Sequence, residues 1–151
     1  MAYKVISRSE NDTIKLAQKL ESEKFPNMVI CLMGDLGSGK TVFTKGFASS
    51  LEVEEPVTSP TFNIIKEYTS GQMDLYHMDV YRLENENIDN LGIEEYFNKG
   101  GVTIIEWADL IENYLPEERL DIKFKVIDEN TRVLVLKPHG EDYVRVCEDI
   151  L

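Results

Sequence analysis

Residues 34–41 read Gly-Asp-Leu-Gly-Ser-Gly-Lys-Thr, a fit to the pattern G-x-x-x-x-G-K-[ST]. The chemistry this spacing suits is the grip of a polyphosphate. Backbone N–H groups can converge on one anion only where the chain takes unusual φ/ψ angles, which glycine tolerates. A helix that begins where the loop ends aims its positive dipole at the same point. Lys40 then brings a full positive charge to the β- and γ-phosphates, and Thr41 offers a hydroxyl to Mg²⁺. Gly34, Asp35, Leu36, Gly37, Ser38, Gly39, Lys40 and Thr41 are therefore the candidate nucleotide-binding residues. A glycine-rich turn that merely ends in Lys-Thr is the plain alternative. The context opposes it, because an apolar strand pattern precedes the loop and an amphipathic helix pattern follows it.

Binding alone needs no more than this loop. Hydrolysis also needs a carboxylate near the metal and a group that orients water. Two acids stand where such a carboxylate belongs. Glu106 ends the apolar run Val102-Thr103-Ile104-Ile105, and Asp79 lies in "YHMDVYRL" near the end of a more polar strand. A carboxylate that ends an apolar strand needs a partner, and a metal would be one. An ordinary exposed strand-end acid is the competing reading at both positions. Thr58, Ser59 and Thr61 form a hydroxyl cluster ahead of a strand. Such a loop can sense a γ-phosphate, or it can simply be a capped turn around Pro60. His77 reads first as a core residue. So does Trp107, although its place beside Glu106 would let it wall the site. Arg132 opens a strand and reads as a surface arginine unless a nucleotide reaches it.

The elements that must position these residues follow from periodicity. Ser9 or Asn11 caps a helix to about Lys24, with Ile14, Ala17 and Leu20 on one side. Met28–Leu32 is a short, wholly apolar strand of the kind buried on both faces. Lys40–Leu51 spaces Phe43, Phe47 and Leu51 four apart, as a helix requires. "FNIIKEY" and "MDLYHMDVY" form a hairpin around Ser70-Gly71, and "GVTIIEW" is a second buried strand. "ADLIENYL" is a short helix stopped by Pro116. "RLDIKFKVI" and "TRVLVLK" make another hairpin. A final helix turns Tyr143, Val144, Cys147 and Leu151 inward.

The 151 residues suit one domain, 1–151, with a sizeable core. No apolar run approaches the roughly 18 residues of a membrane span, and "MAYKVISRSE" lacks the apolar centre of a secretory signal. Cys31 and Cys147 give no disulfide or zinc framework. A cytoplasmic location is expected. The net charge of −12 is uneven, at +2 over residues 1–50 and −14 over 51–151. That acidity opposes direct, non-specific contact with nucleic acid, which needs cations against phosphates. It serves solubility or the docking of a basic partner, and residues 84–97, with five acids and no base, are a candidate docking surface.

"GDLGSGKT", "SPTF", "YHMDVYRL" and "VTIIEWAD", in that order, resemble the TsaE family of small bacterial P-loop ATPases of tRNA threonylcarbamoyladenosine biosynthesis. The resemblance runs from residue 9 to about 137. It implies an α/β fold, a P-loop NTPase-like mixed sheet flanked by helices, with antiparallel hairpins. It implies ATP in the loop, Mg²⁺ held by Thr41 and Glu106, and Asp79 serving the metal or the attacking water. Lys40, Asp79 and Glu106 are then the catalytic set. Thr61 would contact nucleotide within a switch-like loop 58–61, and Arg132 is carried over as a further nucleotide contact. Family members support two partner proteins, TsaB and TsaD, so tRNA would be met only through that complex.

A small-molecule kinase of the P-loop class is the alternative. Such kinases commonly close an arginine-bearing lid over the transferred phosphoryl group. Between residue 51 and Lys137 the arginines are three and scattered: Arg82, Arg119 and Arg132. A GTP-driven switch fits less well, because "NKGG" at 98–101 lacks the aspartate that selects guanine.

Overall fold

The computed structural model describes residues 1–59, 64–81 and 92–151. Thr61, Arg82 and the acids between 84 and 91 lie outside the described residues.

Among the described residues the strands are β1 (Tyr3–Ser7), β2 (Val29–Met33), β3 (Ile65–Tyr68), β4 (Leu75–Asp79), β5 (Val102–Glu106), β6 (Arg119–Val126) and β7 (Arg132–His139). They form one sheet in the order β1-β7-β6-β2-β5-β4-β3. Its centre, β6-β2-β5-β4, is parallel, while β3, β7 and β1 pair antiparallel at the two sides. The expected mixed sheet with antiparallel hairpins is therefore present. β2 is wholly apolar, and β5 is buried along its whole length with Thr103 and Glu106 as its polar residues, because both faces of the sheet are covered there.

The helices are α1 (Glu10–Ser22), α2 (Lys40–Ser50), α3 (Ile93–Tyr96) and α4 (Glu141–Ile150). A 3-10 helix spans Ala108–Tyr114. Ser9 caps α1 by accepting the Asp12 N–H at 3.2 Å. α1, α2 and α4 pack on one face of the sheet, where Leu16, Leu20, Phe43, Phe47 and Tyr143 meet Leu75, Ile104 and Leu120. α1 and α2 lie close because Gly46 faces Ile14; a Cβ there would come within 3.1 Å of the Ile14 Cα. α3 and the 3-10 helix cover the other face, with Ile93, Phe97 and Ile111 against Val29, Cys31, Met78 and Ile105.

Three details depart from expectation. β2 begins at Val29, one residue later than predicted, although Met28 is itself buried. The segment after Trp107 winds as a 3-10 helix, with a non-helical Ile111 at φ −126°. α4 buries Tyr143, Val146 and Cys147, whereas Val144 is half-buried and Leu151 is 53% exposed. Positions 143, 146, 147 and 150 are the i, i+3, i+4, i+7 stripe of a regular helix, which Val144 and Leu151 do not share. Both cysteines are free and buried. No helix among the described residues is long and apolar enough to cross a membrane.

Candidate nucleotide-binding site

The parallel register decides where the acids go. Leu32 of β2 pairs with Glu106 of β5, and Glu106 pairs with Asp79 of β4. The carboxyl ends of three adjacent strands thus meet where the glycine loop leaves β2, the usual ligand edge of a parallel sheet. Gly34 makes the first turn at φ +148°, and its Cα faces the Phe124 carbonyl so closely that a Cβ would sit 2.8 Å from it. Gly39, at φ +111°, is the N-cap residue of α2. No side chain caps that helix, and its first turn holds no acid. The first backbone N–H groups of α2 are therefore left without a capping side chain of the helix's own.

Lys40 is only 4% exposed. Its Nζ donates to the carbonyls of Gly34 at 2.6 Å and Asp35 at 2.9 Å, and lies 4.1 Å from the centroid of the Trp107 ring. Burial lowers its pKa below the ordinary lysine value, while Glu106, Asp79 and Asp35 pull the other way. Thr41 Oγ1 donates to Glu106 Oε1 at 3.2 Å and lies 3.0 Å from Ser59 Oγ. The single Thr41 proton goes to the carboxylate, which leaves Ser59 as donor to Thr41. Glu106 is 2% exposed and takes a second bond, at 2.5 Å, from His77 Nε2. Asp79 accepts the Tyr81 N–H at 3.1 Å. Burial raises the Asp79 pKa; that N–H opposes the rise and Glu106 adds to it.

These groups line a cavity of about 370 Å³. Leu36, Gly37, Ser38, Gly39, Lys40, Thr41, Ser59, Asp79, Glu106, Trp107 and Arg132 all face it. The Leu36 side chain is 85% exposed, so the residue's part in gripping a phosphate would fall to its backbone. Gly34 and Asp35 form the turn beneath. Arg132 reaches the loop from β7, with Nε 3.2 Å from the Ser38 carbonyl, and it also ties down the β6–β7 turn through the Asp128 carbonyl at 2.7 Å. It is a bracing arginine rather than a loose surface one. Trp107 stands at φ +63°, rare for a bulky side chain, and stacks on Tyr81 at 4.5 Å. That geometry carries its ring over Lys40, so it walls the site, as one of the two sequence readings has it. His77 is buried, as a core residue would be, yet it is also hydrogen-bonded into the site.

Some lining residues escaped the sequence reading. Ser9, Glu10 and Thr13 come from the start of α1, and Glu129 and Asn130 from the β6–β7 turn. Ser9 was legible only as a cap, and a hairpin turn carries no pattern that points at a distant loop.

The donor set fits a magnesium ion. Mg²⁺ takes oxygens at ~2.0–2.1 Å in an octahedron, so neighbouring ligand oxygens lie about 2.9 Å apart. Thr41 Oγ1 and Glu106 Oε1, 3.2 Å apart, approximate such a pair. No group of three or more His, Cys, Asp or Glu among the described residues forms a protein-only metal cage. Mg²⁺ normally needs none, since phosphates and water complete its shell.

Comparison with known proteins identifies the family and supports the fold. The family model described as threonylcarbamoyl adenosine biosynthesis protein TsaE matches residues 7–134. The tRNA threonylcarbamoyladenosine biosynthesis protein TsaE of Bacillus subtilis is 51% identical over 125 residues, covering 83% of this chain and 78% of the relative. That of Treponema pallidum is 36% identical over 132 residues, covering 87% and 97%. The crystal structure of Bacillus subtilis YdiB superposes with a TM-score of 0.85 at 41% identity, over 99% of this chain and 94% of that one.

Proposed function

The chain belongs to the TsaE family, and from that premise we propose that it binds and hydrolyses ATP with Mg²⁺ to support TsaB and TsaD. In this reading those partners form threonylcarbamoyladenosine on tRNA, a pathway supported by relatives that are named tRNA threonylcarbamoyladenosine biosynthesis proteins. The observation that carries the nucleotide reading is the uncapped, acid-free start of α2 beside buried Lys40 and the Thr41–Glu106 pair.

The residues divide the work. Backbone N–H groups of 36–41 and the Lys40 ammonium hold the phosphates. Thr41 and Glu106 would hold Mg²⁺, with Asp79 beside them. When bound, the ion neutralises charge on the phosphate oxygens. Asp79, whose pKa burial holds above the ordinary carboxylate value, stands where it can accept a hydrogen bond from water. Trp107, packed against Tyr81, covers Lys40, which strengthens its pull on an anion. The acidic surface leaves tRNA to the partners.

The kinase alternative gains no support from the arginines. Arg119 is engaged by Asp121 at 3.0 Å, and Arg132 is the one arginine lining the cavity among the described residues. Measuring phosphate release from ATP, alone and with TsaB and TsaD, tests the proposal. Turnover that rises with both partners is expected. ADP formation that instead needs a small acceptor would replace it with the kinase. No saturable ATP–Mg²⁺ binding at millimolar concentration, with or without partners, would overturn it.

A further inference from the structure

His77 is 0% exposed in the middle of β4. Burying an imidazole costs free energy that an apolar side chain would not, so the core alone gives no reason for it. Its hydrogen bonding is one-sided. Nε2 lies 2.5 Å from Glu106 Oε2, while Nδ1 finds no partner among the described residues. An ionised carboxylate can only accept, so Nε2 carries the hydrogen. Glu106 in turn gives its other oxygen, Oε1, to Thr41 at 3.2 Å. A carboxyl group at the end of a glutamate rotates about a broad, roughly two-fold torsion. Anchored at both oxygens, its plane is fixed. The anchor comes from the same sheet face, since His77 lies two residues before Asp79 and pairs with Ile104, two before Glu106.

We infer that His77 is a positioning residue. It holds Glu106 Oε2 from beneath so that Oε1 stays turned towards Thr41 and the mouth of the cavity. This rests on the ATP–Mg²⁺ reading only for what the oriented carboxylate is ready to bind. Partners that orient a metal-binding side chain in this way typically matter 10- to 100-fold for metal affinity.

Two substitutions separate positioning from packing. In His77→Gln the side-chain amide reaches about as far as Nε2 and can still donate to Glu106. In His77→Asn it stops near the position of Nδ1, short of the carboxylate. Both bury a polar amide, but only asparagine leaves it and Glu106 unpaired, so thermal melts check that each is folded. Should the asparagine variant not fold, His77→Leu removes the donor instead. Two quantities are read: the Glu106 orientation in crystal structures of both variants, and the tightening of ATP binding when Mg²⁺ replaces EDTA. In His77→Asn, Glu106 is expected to swing away from Thr41. The Mg²⁺-dependent tightening should fall about 10- to 100-fold, with affinity in EDTA within about twofold of the unaltered protein. His77→Gln should keep both. Glu106 still on Thr41 in the asparagine variant, with the full Mg²⁺ effect, overturns the inference. So does a glutamine variant that loses as much as asparagine. If the unaltered protein binds no ATP, the nucleotide reading falls, and the crystal structures alone decide for or against His77.

Discussion

Gly34→Ala probes the tightest point under the glycine loop. At φ +148° the new Cβ would lie 2.8 Å from the Phe124 carbonyl oxygen, 2.9 Å from Ser38 Oγ and 3.0 Å from Phe124 Cβ. The serine hydroxyl can rotate away. Phe124 cannot, because it is paired in the sheet opposite Leu134. The backbone conformation costs about 1–3 kcal/mol for a side-chain-bearing residue, and the crowding adds about 1–3 kcal/mol. The sum is roughly 2–6 kcal/mol, or a fall in Tm of roughly 4–24 °C for a chain of this size. Gly37→Ala is the control. Its φ is +77°, but a Cβ there meets nothing within 4 Å, so only the left-handed backbone is penalised, by ~1–2 kcal/mol. Urea unfolding of both variants, compared by midpoint at equal slope, reads the difference. A Gly34→Ala loss no larger than that of Gly37→Ala would show that the loop is not braced on β6 and would refute the reasoning.

Lys40→Ala should weaken ATP binding roughly 10- to 100-fold, the worth of charge-assisted hydrogen bonds, with folding retained; titration calorimetry beside a thermal melt checks both. Glu106→Ala should lower Mg²⁺-dependent hydrolysis more than it lowers nucleotide affinity in EDTA, read by phosphate release and binding on one preparation; equal losses would indicate a fold defect. Tyr143→Phe should cost about 1–3 kcal/mol in urea unfolding, because the Val29 N–H, which donates to the Tyr143 hydroxyl at 2.8 Å, would be buried without a partner.

What could be read from sequence was whatever local pattern encodes. The glycine loop, the helix after it and the apolar runs at 29–33 and 102–106 each carry their period within a few residues. The two candidate acids were legible because a charge at the end of an apolar strand is conspicuous. Their pairing across β4 and β5 was not, since it depends on a parallel register that no short stretch of sequence specifies. The same holds for Arg132, which is 94 residues from the Ser38 carbonyl it bonds. His77 was legible as buried, but its role follows from a contact 29 residues away. The C-terminal helix showed its amphipathic character and hid its phase. Val144 and Val146 are equally apolar, and it is Val146 that shares the buried stripe with Tyr143, whose hydroxyl accepts the Val29 N–H.

The parallel register also explains why the site's charges sit so uneasily. Along one face β4 runs Leu75, His77, Asp79, and β5 runs Val102, Ile104, Glu106. Because the strands run the same way, polarity rises in both towards the end where α2 begins. Antiparallel pairing in the same span would have set Asp79 beside Val102 and scattered the acids. Parallel pairing sets two carboxylates in adjacent register, and burial, with Glu106 adding to it, raises the Asp79 pKa. Lys40, shut in by the loop and Trp107, answers with a lowered one. Each is pushed towards neutrality for want of solvent, not for want of an opposite charge nearby. A cation beside Asp79 would oppose the rise of its pKa and a polyanion beside Lys40 would oppose the fall of the other, so the register sets each proposed ligand against the group that its charge favours.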